Sequence, residues 1–308
     1  MNSTLLITAR KDIYLYLQDN FEHIYYINSN SFKCSLKKFI KYIKNNNFKQ
    51  VIVEDYFNNF DYLLNLLLEN KTKVKLIWTK GVGTLNDHLE LDNLSNVIEL
   101  YESKKISALG FTDRSMYLLY KDKGCSLIKY TVKDTNIENF EEKNNDNVSV
   151  IGNGYNWQSN VYNQLSAIKM NNYDLYNLND INIVRRYLKF WNITTYSNYT
   201  KLNCDTFRDN LDNISLCSCV EFSNLYDLYC IDSYNHGVPV VLGNNTLFFK
   251  GTKLEDKVIV KSDDSINEIA DKMKYCLNNR ESIIKEYNSL KKDYDVESKE
   301  SIEGFLSI

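Results

Sequence analysis

Apolar positions follow two rhythms along this chain. Short unbroken apolar runs alternate with longer stretches in which apolar residues recur every three or four positions, a pattern that predicts strands joined by crossover helices. In the first half, residues 5–8, 24–27, 51–53, 74–78 and 97–100 predict strands. Residues 37–43 and 60–68 have helical spacing, and crossovers of that length force parallel pairing. The first half therefore reads as one doubly wound α/β domain.

Residues 134–147 break the rhythm, being polar, acidic and poor in apolar side chains, as linkers are. They divide the chain into an expected first domain, 1–140, and a second, 148–308. A new strand at 148–151 runs into Gly152-Asn153-Gly154-Tyr155-Asn156-Trp157-Gln158-Ser159-Asn160 and a helix through Lys169, which repeats the opening strand, loop and helix of a Rossmann unit. Glycine in such a loop lets the backbone approach a phosphate. Further on, 215–220 predicts a strand, 224–235 a helix stopped at His236-Gly237, and 238–242 a buried strand opened by Pro239. In an open parallel sheet, ligands sit beyond the carboxyl ends of the strands, so Glu221 and Gly243-Asn244-Asn245-Thr246 mark a candidate binding edge. A strand at 258–260, a cap at Ser262-Asp263-Asp264 and three closing helices complete the second half.

The stretch Asp232-Ser233-Tyr234-Asn235-His236-Gly237-Val238-Pro239 through Val241 resembles the Glu-Ala/Ser-x-x-x-Gly-x-Pro-Val segment of retaining nucleotide-sugar glycosyltransferases of the GT-B architecture, GT4-like. The resemblance covers residues 148–306 best and the first half in outline. It implies two Rossmann-like doubly wound domains facing across a cleft. The implied activity is transfer of a sugar from a nucleotide-sugar donor to a glycan, lipid-linked or protein acceptor, without metal or other cofactor. Gly152, Gly154, Asn160, Asn224, Asp232, Gly243, Asn244, Asn245 and Thr246 would bind the donor, with Asp232, which stands where the family has Glu, on the ribose. The acceptor and catalytic groups would be His88, Asp87 and Glu221, the first two in the loop after the 74–78 strand.

Two departures from the family pattern bear on activity. The family places Arg and Lys near the donor diphosphate, where preorganised cations stabilise the leaving group; here Trp157-Gln158-Ser159-Asn160 carries neither. Arg185 and Arg186, or Lys250 and Lys253, are the available substitutes. The family also pairs two carboxylates eight residues apart, and counting back from Asp232 reaches Asn224, with Glu221 the nearest acid. An inactive GT-B-fold binding or scaffold subunit is accordingly the alternative.

Composition narrows the partners. A net charge of −3 gives no global attraction for nucleic acid or anionic lipid, though it allows local basic patches, and the 24 Tyr and 14 Phe read as core packing and not as base-stacking platforms. No apolar run reaches the ~20 residues that cross a bilayer, and the start lacks a signal-peptide pattern, so a cytoplasmic location is expected, compatible with peripheral membrane contact. The seven cysteines are scattered and read as buried reduced thiols, not metal ligands.

Overall fold

A computed structural model describes residues 4–8, 20–27, 32–129, 146–152, 157–177, 181–197, 204–223, 227–246 and 248–308. The chain forms two compact units, Met1–Val132 with Asp293–Ile308, and Lys133–Lys292.

The first unit contains a six-stranded parallel sheet of β1 (Thr4–Thr8), β2 (His23–Tyr26), β3 (Gln50–Glu54), β4 (Lys73–Trp78), β5 (Ala108–Phe111) and β6 (Ser126–Leu127), in the order β2-β1-β3-β4-β5-β6. Helices α1 (Phe32–Asn46), α2 (Phe60–Glu69), α3 (His88–Glu102) and α4 (Arg114–Tyr120) follow β2, β3, β4 and β5. Alternate strand residues, among them Leu5, Ile7, Val51, Val53, Val74, Leu76 and Trp78, share a core with Phe39 and Ile43 of α1, Leu63 and Leu67 of α2, and Leu94 and Val97 of α3. Residues 97–100 are thus helical and not the expected strand. The three-residue spacing of Leu94 and Val97 buries one side of α3, and a four-residue window is too short to reveal it. The strand in that region is β5.

The second unit contains a five-stranded parallel sheet of β7 (Asn147–Val150), β8 (Asp174–Asn177), β9 (Thr195–Ser197), β10 (Leu216–Cys219) and β11 (Val240–Leu242), in the order β11-β10-β7-β8-β9. Between and after these strands come α5 (Val161–Asn171), α6 (Ile181–Trp191), α7 (Cys204–Asn210), α8 (Asp227–Asn235), α9 (Glu255–Val258), α10 (Ile266–Asn278) and α11 (Arg280–Ser307). Gly237, at φ 74°, ends α8 as expected: its N–H donates to the Tyr234 carbonyl and the Val238 N–H to that of Ser233. The expected strand at 258–260 is reduced to one parallel bridge, Leu242 to Ile259, because Val258 still belongs to α9. Cys217, Cys219, Cys230 and Cys276 are buried free thiols, as is Cys125 of the first unit.

Residues 293–308, expected with the second domain, group with the first unit instead. Lys75 explains much of this. It lies in the middle of β4, fully buried, and its Nζ donates to the carbonyls of Phe305 and Leu306 at 2.7 Å each. These are last-turn carbonyls of α11, which lack helical partners and sit at the negative end of the helix dipole. Ser298 Oγ also donates to the Lys129 carbonyl, and the Lys129 N–H donates to Ser301 Oγ. Gly110 of β5 makes room for the same helix: a Cβ there would lie 2.7 Å from Ile128 Cγ1 and 3.3 Å from Phe305.

Candidate functional site

Strand order in each sheet reverses beside its first strand. In the second unit β8 and β9 lie on one side of β7, and β10 and β11 on the other, so the crevice of a doubly wound fold opens at the carboxyl ends of β7 and β10. The loops leaving β7, β10 and β11 meet there.

Gln164 of α5 ties the first two together. Its Nε2 donates to the Ser159 carbonyl at 2.8 Å, while its Oε1 accepts from Ser218 Oγ at 2.7 Å and from the Val220 N–H at 3.1 Å. The Phe222 N–H donates to the Gln158 carbonyl. Crowding fixes two of the expected glycines: a Cβ on Gly152 would lie 2.9 Å from the Ser159 side chain at Cβ, and one on Gly243 would lie 2.8 Å from the Glu221 carbonyl oxygen and 2.9 Å from its nitrogen. Glu221 is buried beside Gly243.

Asp263 enters this cluster unannounced by the sequence, where it read as part of a helix cap. The cap of α10 is Ser265, whose Oγ accepts from the Glu268 N–H. Asp263 Oδ1 instead accepts the Asn244 N–H at 2.6 Å, and its carbonyl accepts from Asn160 Nδ2. Burial pushes the Asp263 carboxyl above the usual carboxylate range, against the opposing pull of the Asn244 N–H and Lys250. Asn245 Nδ2 reaches the Phe222 carbonyl at 3.0 Å, Thr246 Oγ1 accepts the Phe248 N–H, and Lys250 Nζ donates to Asn244 Oδ1. Gly154 and Asn224 lie outside the described residues.

Asp232 sits on α8, buried, and is gripped by a residue that the sequence reading missed. Arg208 of α7 donates from Nε to Oδ2 and from Nη2 to Oδ1, each at 3.0 Å, a two-pronged pair. His236 serves the end of the same helix, its Nδ1 lying 2.7 Å from the Asp232 carbonyl. Of the candidate substitute cations, Lys250 joins the cluster; Arg185 and Arg186 are exposed on α6, the crossover from β8 to β9, and Lys253 is exposed beyond β11.

In the first unit the reversal falls between β1 and β3. Asp55, at φ 57° just past β3, accepts the Thr79 N–H at 2.7 Å and the Thr79 hydroxyl, joining the ends of β3 and β4. Lys80 pairs with Glu90 and lies 5.3 Å from the Trp78 ring centroid. Applying the switch-point rule to the 51–53 strand would have found Asp55. The expected candidates sit elsewhere: Asp87 caps α3, its Oδ1 accepting the Leu89 N–H at 2.9 Å, and His88 is the exposed first residue of that helix. Asp113 likewise caps α4, bonding the Met116 N–H.

Two all-parallel, doubly wound sheets, one in each unit, make this the fold of the GT-B glycosyltransferases. Solved structures similar to it include HepE of Anabaena in complex with UDP-glucose, at TM-score 0.64 and 8% identity over 99% of this chain and 100% of that one. A UDP-forming α,α-trehalose-phosphate synthase of Burkholderia xenovorans, in complex with glucose-6-phosphate, matches at TM-score 0.63 and 8% identity over 99% of each chain. TarM of S. aureus matches at TM-score 0.57 and 14% identity over 87% of this chain, which spans 57% of TarM. No protein-family model matches the chain, and no curated protein matches it in sequence. Among the described residues no helix is long and apolar enough to cross a membrane.

Proposed function

We propose that the chain is a nucleotide-sugar glycosyltransferase, GT4-like, whose second unit binds the donor at the carboxyl ends of β7, β10 and β11. The observation that carries this reading is the full-length fold match to HepE bound to UDP-glucose. It is supported by the tight packing of loops that Gly152 and Gly243 permit at the β7/β10 switch point. In this reading Asp232, oriented by Arg208, accepts a ribose hydroxyl. The Gly243–Thr246 turn contacts the diphosphate or sugar, with Lys250 as the cation beside it. The first unit recognises the acceptor, a glycan, lipid-linked or protein hydroxyl, and transfer retains the anomeric configuration without a metal.

Asp263 favours a second reading, a GT-B-fold binding subunit without turnover. Its carboxylate occupies the Asn244 amide that an anion would use, and residues 151–160 contain no Lys or Arg.

Thermal melting against UDP, GDP and ADP and their glucose conjugates, with and without EDTA, tests the first reading, because ligand binding to the native state raises the melting temperature by mass action. A selective shift that survives EDTA is expected, followed by sugar transfer from the same donor. No shift at millimolar nucleotide overturns it in favour of the binding subunit. Asp232→Ala should weaken nucleotide binding by ~1–3 kcal/mol, and unchanged affinity in a folded variant removes the ribose role. Asp263→Asn, which deletes the charge and keeps an acceptor oxygen, should tighten nucleotide binding.

A further inference from the structure

We infer that the outer face of α6 is a docking surface for an anionic lipid bilayer. At about 100° per residue, Arg185, Lys189, Arg186 and Phe190 fall on one side of this helix, and Val184 and Leu188 on the other. The second pair is buried, whereas all four residues of the first side are exposed, Phe190 by 82%. Trp191, the last residue of the helix, falls on the Val184 side by the same spacing yet is 41% exposed.

The aromatic side chains extend across the surface as a continuous ridge. Phe190 and Trp191 have ring centroids 5.8 Å apart, Trp191 and Tyr187 5.9 Å, and Tyr187 and the exposed Tyr162 of α5 5.3 Å. Neither α5 nor α6 contains an acid, although the chain carries 40 Asp and Glu against 37 Lys and Arg. Exposed cations sharing a helix with protruding aromatics, and no acid in that helix or in α5, are what a negatively charged membrane surface selects: Lys and Arg meet the headgroups while Phe and Trp enter the interface. A nucleic acid is the poorer fit. The rings lie edge-to-face or tilted upon one another, which denies bases the open parallel faces on which they stack. Because α6 connects β8 and β9, the surface is at the sheet edge remote from β10 and β11, and docking leaves the candidate donor cluster uncovered.

The test needs no donor and no turnover, so its outcome is separate from that of the transferase reading. The protein is mixed with phosphatidylcholine vesicles with and without phosphatidylglycerol, and binding is read by flotation. Trp191 emission is followed in a Trp157→Phe background, where Trp78 is the only other tryptophan and is fully buried. Binding is expected only to the anionic vesicles, with a blue shift of Trp191 and loss at high salt. At about fivefold per cation, the triple variant Arg185→Gln/Arg186→Gln/Lys189→Gln should weaken binding roughly a hundredfold. Phe190→Ser should remove the blue shift with its melting temperature unchanged. Absence of binding to anionic vesicles at low salt overturns the inference, as does binding that the triple variant leaves intact. Preference for single-stranded RNA over the vesicles would overturn it in favour of a nucleic-acid surface.

Discussion

Replacing Arg208 by methionine would take the guanidinium away from a carboxylate that water scarcely reaches. The Asp232 side chain is 6% exposed and that of Arg208 27%, with nitrogen–oxygen contacts of 2.9–3.0 Å. Removing one partner of a fully buried pair costs ~3–5 kcal/mol, chiefly by leaving the other charge uncompensated. Partial exposure of the guanidinium lets solvent recover part of that, so ~2–3 kcal/mol is expected. Methionine retains the packing of the arginine stem, which confines the loss to the charge. At about 2–4 °C per kcal/mol for a unit of this size, melting should fall by roughly 4–12 °C. Urea unfolding of Arg208→Met, Asp232→Leu and the double variant closes the cycle. The double variant should recover most of the loss, because a well-packed apolar pair replaces a buried ionic one at little cost. A single Arg208→Met variant within ~0.5 kcal/mol of the parent, or a double variant equal to the sum of the singles, would refute the reasoning.

Gly243→Ala should cost ~1–3 kcal/mol, because its methyl would press on the Glu221 backbone at 2.8–2.9 Å; a melting curve unchanged from the parent contradicts this. Lys75→Met should cost ~1–3 kcal/mol by orphaning the Phe305 and Leu306 carbonyls, with faster amide exchange over residues 293–307. Burial, helped by the charge of Lys73, lowers the Lys75 pKa from 10.5 to about 8, so across that interval the unfolded chain binds more protons than the folded one. Stability contributed by this group therefore rises with pH over the window, and Lys75→Met should flatten the rise in urea unfolding relative to the parent. Asp87→Ala should lower stability by ~0.5–2 kcal/mol through loss of the α3 cap and leave transfer within a few-fold; a fall in kcat/KM of about a thousandfold would instead make it catalytic.

The strands of both sheets were legible wherever an apolar run stood between polar residues, as in β1, β3, β4, β10 and β11. The parallel pairing followed from crossover length. Residues 97–100 misled because a helix with one buried side and a short strand look alike over four positions, whereas β5 hid behind Gly110. At the candidate site, the local motif singled out Asp232, the end of a predicted strand singled out Gly243, and the place past a helix singled out Gly237. Arg208, Gln164 and Asp263 were not. Each acts on a residue or carbonyl far along the chain, such as Asp232 for Arg208 and Asn244 for Asp263, and no local periodicity encodes such pairings. Lys75 offered the opposite signal, a charge in the middle of a strand pattern, which reads as an edge or solvent position until α11 arrives above it.

The Lys75 latch also orders events in time. A ribosome releases β4 long before residues 293–308 exist, and until then Lys75 lacks the Phe305 and Leu306 carbonyls and Gly110 lacks its contact with Phe305. The first unit, though encoded first, can complete its burial only after the second has been synthesised, contrary to the usual progression of domains from the amino terminus. Its central strand waits for a partner about 230 positions away, a separation that slows closure and exposes an unfinished sheet face to chaperones in the meantime.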